Sequence, residues 1–427
     1  MTIRIRDEAS RGATNVVGAL KSVGDAAENA SNKMMGQARA LGAFGTAGFA
    51  VAGSGAAVMT SLSSAAMEFG RATAYAFTQV DETGAKIEDV RGIVKRVANE
   101  IPVPLEEVSQ GLYDIFSSID VSVKDSESLI KQFGQASIAG QTDVRTAARS
   151  TVAVMNAYGM EVEDVGEILD WQFQLVRKGV GTYDDFAHTI GLALPAFQAA
   201  DQNIDTLGGS LTMLTRSGLT ASRAATSSAR AMELLAQPKA VENLRELGIE
   251  VTNADGTFVE MEKIVTALAK GPFKDLQGPE FREMFKEIFG SGRIQARRFF
   301  DIVLKNHEEY NALVDDFSDK EGAMLTAYDI MYNEPIMRVQ ELRVQWDLLK
   351  QTLGEQLLPI FGFLIEKMTA LVRWFKNLPT WVKYASMITG AFVTLLGVFI
   401  GVGAFVGAFI LAVAALLAKL GGLAGVA

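Results

Sequence analysis

The side chains best able to bind a metal or transfer a proton are few in this chain and stand apart from one another. Its two histidines, His188 and His307, are far apart in sequence, and neither has a second ligand at the spacing of a metal site. The chain has no cysteine, so disulfides, thiol catalysis and thiolate metal sites are excluded. We therefore expect both histidines to be surface or hydrogen-bonded helix residues.

Serine and carboxylate chemistry is equally hard to place. The serine-rich stretch Ala221 to Ala229 has no GxSxG context, and no glycine-rich loop matches a phosphate-binding pattern. Asp and Glu total 50 residues, but no pair stands out from the carboxylates expected on solvated helix faces. We expect neither enzyme activity nor a cofactor or metal.

The overall charge bears on possible partners. Of 427 residues, 49% are hydrophobic and 21% are charged, and the formal net charge is −10. Broad binding of a nucleic-acid backbone relies on many Lys and Arg on one face, which is not apparent here. We therefore expect no specific nucleic-acid binding. The length allows two or three domains.

Two uncharged blocks hold most of the excess apolar residues. The first, Ala40 to Met67, is rich in glycine and other small side chains. Glycine weakens a helix by about 1 kcal/mol relative to alanine, but it also lets helices approach closely. A tightly packed buried helix, a membrane span and a flexible joint are all compatible with this block.

The second uncharged block, Tyr384 to Ala418, is longer. As one helix it would extend about 50 Å, against about 30 Å for a hydrocarbon core. One tilted span, a hairpin turning near Gly401 to Gly403, and a helix buried in a multi-chain bundle all stay open. Aromatic and basic residues precede the block, as in the belt at a membrane interface. The residues predicted to contact a membrane are Trp374, Trp381, Tyr384, Phe392, Gly397, Gly401, Gly403 and Gly407.

The segment before this block carries a helical seam, in which apolar residues recur at alternating intervals of three and four. The pattern includes Leu325, Tyr328 and Tyr332 and is interrupted where Pro335 takes a seam position. Such a seam can be filled by a neighbouring helix of the same chain or by identical helices of other copies. The residues predicted to form a self-association seam are Val339, Leu342, Trp346, Leu349 and Leu353.

The middle of the chain has the pattern of short helices joined by tight loops. After Pro102 and Pro104, one predicted helical face is formed by Leu105, Val108, Leu112, Ile115, Phe116 and Ile119. A β-hairpin is predicted at Gly248 to Met261, because apolar alternation flanks Asp255 and Gly256 and a tight turn needs the positive φ that glycine adopts easily.

These elements predict an all-α fold: a multi-helix globular core domain with one small β-hairpin, flanked by long helices and by two hydrophobic helical segments. The predicted boundaries place an N-terminal helical segment at residues 1–68 and the core domain at 69–317. Long amphipathic, coiled-coil-like helices follow at 318–383, and a hydrophobic, membrane-competent segment at 384–427.

Several motifs in the core resemble, in their order, the core domain of bacteriophage tail tape measure proteins. They are YGM at Tyr158 to Met160, ALPAF at Ala193 to Phe197, AQP at Ala236 to Pro238, and ELGIEVTNADGTF at Glu246 to Phe258. The block Leu353 to Lys383 is similar to the segment that follows this domain in the family. Where many members carry a glycine, this chain has Ala199, Ala200 and Asp201. It is also short for the family.

The resemblance implies a function as a tail tape measure protein. Such proteins occupy the lumen of the tail tube in several copies, set the tail length, and leave on infection to assist DNA passage across the host inner membrane. The implied partners are the tail tube protein, tail-tip or baseplate proteins, tail assembly chaperones, other copies of the chain, and that membrane. The implied location is the virion, in the tail lumen. A pore-forming or holin-like protein and a helical scaffold that buries its apolar blocks are the alternatives.

Overall fold

The computed structural model describes residues 44–291, 293–317 and 321–377 of the chain. Trp381 and the predicted hydrophobic segment at 384–427 therefore lie outside the described residues. Within the described ranges, no helix combines the length and the apolar character needed to cross a bilayer.

Helices account for nearly all regular structure in the described residues. The bounds are α1 Phe44–Phe77, α2 Ile87–Glu100, α3 Leu105–Ser118, α4 Val123–Gly140, α5 Val144–Tyr158, α6 Val165–Lys178, α7 Tyr183–Ala187, α8 Leu194–Ala199, α9 Ile204–Arg216, α10 Ala221–Leu235, α11 Pro238–Glu246, α12 Met261–Lys270, α13 Gly278–Phe289, α14 Ile294–Lys305, α15 His307–Asp316, α16 Ala323–Tyr332 and α17 Pro335–Lys376. Single 3-10 turns stand at Val162–Asp164 and Ile190–Leu192.

The chain divides into two compact units. Residues Phe69–Leu348 form the larger unit, and the described residues 44–68 and 349–377 belong to the smaller one. The larger unit has one continuous hydrophobic core that draws on the end of α1, on α2 to α16 and on the start of α17. Its predicted all-helical character is confirmed for the described residues.

Local sequence explains where the helices of the larger unit begin and which face they bury. Pro104 stands immediately before α3, and Val108, Leu112 and Ile115 on the predicted face are fully buried. The side chain of Ser122 accepts a hydrogen bond from the backbone of Asp125 and so caps α4. Such a cap satisfies an amide that has no partner within the helix.

Helix α9 lies at the centre of the larger unit. Every residue from Thr206 to Thr215 in it is buried. A side chain at Gly209 would collide with Val314 of α15, and one at Gly208 would lie 2.7 Å from the ring of Phe317. The two glycines therefore allow the close packing of this helix against α15 and the segment after it.

The predicted hairpin is not confirmed. Gly256 has the expected positive φ of 88°, and the amide of Asn253 donates to the carbonyl of Thr257 at 2.8 Å. Beyond that, the described structure holds only an isolated antiparallel bridge between Thr252 and Phe258. The segment after the turn is held by a residue distant in sequence. The amide of Met261 donates a hydrogen bond to the side-chain oxygen of Gln202 at 2.7 Å. This bond fixes the chain after the turn at the start of α12.

The smaller unit is described through the end of α1 and the second half of α17. Leu62 and Leu357 form a small buried cluster with Leu353 packed against it. Gly354 stands so close to the backbone of Leu62 that a side chain there would collide with its carbonyl oxygen. The first uncharged block is thus helical from Phe44 onward, and its role as a hydrophobic segment stays a prediction.

Candidate self-association surface

The first part of α17 belongs to the larger unit, and one face of it packs on the rest of that unit. Met337 and Val344 are 6% and 2% exposed and join the core. On the same face, the side-chain amide of Gln340 donates to the carbonyl of Pro102 at 3.1 Å. The side-chain amide of Gln345 donates to the side-chain oxygen of Asn99, also at 3.1 Å. Apolar contacts and side-chain hydrogen bonds together position the first part of this helix.

The opposite face of the same helical segment is apolar and exposed. Ile336 and Val339 are 64% and 63% exposed, Leu342 is 71% exposed, and Trp346 is 47% exposed. These residues recur at intervals of three and four, so they share one face of the helix. A contiguous apolar patch on a protein surface is typical of an interaction site, whereas scattered exposed apolar residues are ordinary. We call these four residues the exposed stripe.

The aromatic residues at the start of the predicted seam belong to a different helix. Tyr328 in α16 is buried against the core, and its ring stacks on that of Tyr332 with 5.3 Å between centroids. Burial, together with Tyr332 and Asp329, raises the pKa of Tyr328 to about 12. The guanidinium of Arg338 lies 5.5 Å from the centre of the Tyr332 ring. These contacts join α16 to the start of α17.

Pro335 has a different role from the one predicted. It is the first residue of α17 rather than an interruption within a continuous helix. Proline fits the first turn of a helix, because its missing amide hydrogen would have no partner there. The seam is thus divided, with Tyr328 packed on the core and Val339, Leu342 and Trp346 exposed.

The last two residues of the predicted seam are more enclosed. Leu349 is half-buried, and Leu353 packs against Leu62 and Leu357 of the same chain. Of the two partners that the sequence allowed for the seam, a helix of the same chain fills the position of Leu353. The self-association seam as a whole stays a prediction.

The predicted membrane-contacting residues fall almost entirely outside the described part of the chain. Trp374 lies within α17. Trp381, Tyr384, Phe392, Gly397, Gly401, Gly403 and Gly407 follow residue 377, where the description ends.

The residues considered for catalysis are found on, or directly after, separate helices. His188 follows α7, is exposed, and has its Nδ1 atom 2.8 Å from the carbonyl oxygen of Asp184. His307 is the first residue of α15. Ser227 and Ser228 lie buried within α10.

Two features of α17 were missed by sequence reasoning. Ile336 belongs to the exposed stripe, but it directly follows Pro335, where the predicted seam is interrupted. The packed face was overlooked because Met337 and Val344 are only two apolar residues, seven positions apart. That interval is two helical turns, and with Leu348 four residues later it forms a second, weaker stripe.

Comparison with known proteins points to phage tails. Residues 91–290 match the model of the family described as phage-related minor tail protein. A probable tape measure protein of Clostridium phage phiCD119 is 27% identical over 215 residues. The resemblance to tape measure proteins is confirmed. The description of that family places its members among the minor proteins of the phage tail.

The aligned region covers 49% of this chain and 23% of that relative. The chain thus spans about a quarter of the length of the curated relative that it matches. No solved structure matches.

Proposed function

We propose that the chain acts as a tail tape measure protein. In this role it would occupy the lumen of the tail tube during assembly and set the number of tube rings. On infection it would leave the tail and assist passage of DNA across the host inner membrane. The observation that carries the proposal is the match of residues 91–290, in the larger unit, to phage minor tail proteins.

The long helix supports the ruler part of this proposal. Helix α17 has 42 residues, which at 1.5 Å per residue extend over about 63 Å. The length of a helix is proportional to its residue count, whereas added residues in a compact unit change its length little. A ruler would therefore be most sensitive to changes in α17.

A phage that carries a tandem duplication of residues 336–376 tests the ruler, and the copy omits Pro335 because proline inside the lengthened helix would break it. We expect its tails to be longer by about 60 Å, rounded to whole tube rings, because the added segment extends the helix. Tail length is measured on negatively stained particles.

The control phage carries a flexible Gly/Ser insertion of the same length in the loop between Lys274 and Gly278 of the larger unit. Its tails should keep the parental length, because the insertion extends no helix. Unchanged tails in the duplication phage would refute the ruler role of α17.

We further propose that copies of the chain associate through the exposed stripe, which includes Val339, Leu342 and Trp346 of the predicted seam. Covering a large apolar side chain is worth about 1.5–3 kcal/mol. The stripe lies along one helix face, and this arrangement suits an identical helix from a second copy, since seams with such spacing pack side by side.

The triple variant V339S/L342S/W346S tests this association in the full chain. We expect the dissociation constant to rise by about a hundredfold or more, because the variant loses three apolar contacts of the size given above. Sedimentation in mild detergent, which shields the uncharged block, measures the constant.

A control variant replaces three exposed apolar residues elsewhere by serine. In V180S/L192S/L247S, the changed residues are 61%, 53% and 49% exposed but lie outside the stripe. This variant should associate like the unchanged chain. Equal weakening in both variants would mean that general hydrophobicity, and not the stripe, drives association.

The remaining partners are part of the same proposal. They are the tail tube protein, tail-tip or baseplate proteins, tail assembly chaperones, and the host inner membrane contacted through Trp374 to Gly407.

The variant V398D/V402D places two charges in the uncharged block, where a bilayer penalises them strongly. We expect tails of normal length with reduced DNA delivery, measured as potassium efflux and early gene expression. Normal delivery would refute the membrane role.

A further inference from the structure

Four basic side chains meet at one small recess of the larger unit. Arg282 and Lys286 lie one turn apart on α13, and Arg293 and Arg297 lie one turn apart at the start of α14. They line a recess of about 230 Å³. One carboxylate, Glu283, lines it as well, so the lining carries a surplus of three positive charges.

The packing of α13 and α14 explains why these charges converge. Phe281, Phe285 and Phe289 face the core and are nearly fully buried, and this directs Arg282 and Lys286 to the outer face of α13. Gly290 ends α13 with a φ of 82°. The last turns of α13 and the first turn of α14 line the same recess.

The four side chains form no ion pair or side-chain hydrogen bond among the described residues. By contrast, Arg145 and Arg149 of the same unit both donate to the buried carboxylate of Asp114. Like charges held close together repel each other, and the repulsion is relieved when an anion binds between them. The recess is thus a concentrated positive site in a chain whose net charge is −10.

We propose that this recess binds a phosphate group. Arginine donates two parallel hydrogen bonds to phosphate oxygens, and lysine acts as a point charge beside them. A recess of about 230 Å³ is large enough for one oxyanion with waters beside it. The first amides of α14 have no side-chain cap, and they add donors on the side of Arg293.

The shape of the site favours a single phosphate group over an extended polyanion. The basic side chains converge on one recess instead of following a line along the surface. Ile294 is 58% exposed beside them. A free phosphate or the headgroup of an anionic lipid supplies the required chemistry, and in the second case Ile294 would contact the acyl boundary.

Hydrogen exchange of the full chain tests the proposal with inorganic phosphate as the probe. Amides of residues 282–298 should be protected in a saturable way by phosphate, relative to chloride at equal ionic strength. Each charge-assisted hydrogen bond lost weakens binding by about tenfold or more. The variant R293Q/R297Q should therefore bind about a hundredfold more weakly.

A matched variant, R223Q/K239Q, removes two exposed charges that do not line the recess. It should bind phosphate like the unchanged chain. If both variants bind equally, or if no saturable protection occurs with phosphate or lipid, the proposal is overturned.

Vesicles distinguish the two sources of the phosphate group. Stronger binding to phosphatidylglycerol than to phosphatidylcholine vesicles, lost in R293Q/R297Q and kept in R223Q/K239Q, would assign the site to a lipid headgroup. Duplex DNA is the third probe. Binding to DNA that depends on the same arginines, with a salt dependence corresponding to several phosphates, would overturn the single-phosphate site in favour of a polyanion track.

Discussion

Helices α9 and α17 are both rich in apolar residues, but the chain surrounds them very differently. In α9, every residue from Thr206 to Thr215 is buried. In the first half of α17, Met337 and Val344 are buried while Leu342 and Trp346 on the opposite face are exposed. The same kind of sequence pattern therefore serves two purposes within one chain.

The difference separates folding from association. Apolar side chains on α9 are withdrawn from water by the chain itself, and their burial stabilises the fold. The exposed stripe on α17 gains nothing from folding of the larger unit. Its apolar surface becomes favourable only when something else covers it, so this is the face on which we base the proposed self-association.

The largest expected effect comes from the same substitution in the two helices. Leu211→Ala in α9 removes a fully buried side chain and should cost about 3 kcal/mol of stability, within the usual range for such cavities. Leu342→Ala in α17 should change stability by less than about 0.5 kcal/mol, because the side chain is exposed. Hydrogen exchange of the amides of α9 measures the free energy of opening in the larger unit.

Comparable losses in both variants would mean that α17 is covered on both faces in the isolated chain. The contrast between the two helices would then be wrong. Exchange measured at several protein concentrations distinguishes covering by other copies from covering by the same chain, since only the former depends on concentration.

A smaller effect is expected from adding a methyl group to a glycine in each helix. Gly209→Ala forces a contact with Val314. Overpacking costs about 1–3 kcal/mol, and the better helix propensity of alanine returns about 1 kcal/mol. We therefore expect a net loss of about 1 kcal/mol, measured by the same exchange experiment.

Gly362→Ala in α17 should have the opposite sign. Among the described residues, no atom lies within 4 Å of the added Cβ, so only the gain in helix propensity of up to about 1 kcal/mol remains. Stabilisation by Gly209→Ala would show that α9 and α15 can separate at little cost, contrary to the close packing in the structure.

The periodicity of apolar residues predicted that the larger unit consists of short helices and identified the buried face of α3. The face of α3 is buried as expected, because its apolar residues recur at helical spacing and Pro104 marks the start. The turn at Asp255 and Gly256 was also predicted, since its chemistry is local. The two strands were not formed, because tertiary contacts to Gln202 hold this segment instead. Such contacts are not visible in the local sequence.

Asp201 shows how a departure from a family pattern can still fit a backbone requirement. The resemblance places a glycine near this position in many members, and Asp201 has a positive φ of 49°. Aspartate tolerates this conformation better than most residues. Its carboxylate also accepts a hydrogen bond from the amide of Phe258 at 3.3 Å.

The candidate surface could be predicted only in part. The spacing of Val339, Leu342 and Trp346 identified a helical stripe, but spacing cannot tell whether a stripe faces the core or water. That distinction depends on which of the two stripes of α17 packs on the rest of the larger unit. The buried residues Met337 and Val344 show that it is the weaker stripe. The basic recess was missed because its two pairs of cations are separated by a turn.

The smallest expected effect on stability concerns Glu262, whose carboxylate contacts α9. Glu262 of α12 accepts a hydrogen bond from the hydroxyl of Thr206 at 2.9 Å. Burial, with smaller contributions from the negative charges of Glu260 and Asp315, raises the pKa of Glu262 above its usual value. The stabilising contribution of the protonated form is present in full below the ordinary glutamate pKa of about 4.3. It is lost as the pH rises through the higher pKa of the folded protein.

Glu262→Gln should therefore stabilise the larger unit at pH 7 and have less effect at pH 4. The amide oxygen of glutamine can accept the same hydrogen bond from Thr206, but it carries no charge that burial would penalise. The control, Glu341→Gln, removes an exposed carboxylate of α17 that lies 3.1 Å from Arg338. Because surface ion pairs contribute about 0–1 kcal/mol, this change should be neutral or slightly destabilising. If Glu262→Gln destabilised the protein at pH 7 as well, the charged carboxylate would be favoured at α9, and this helix would be less enclosed than its packing indicates.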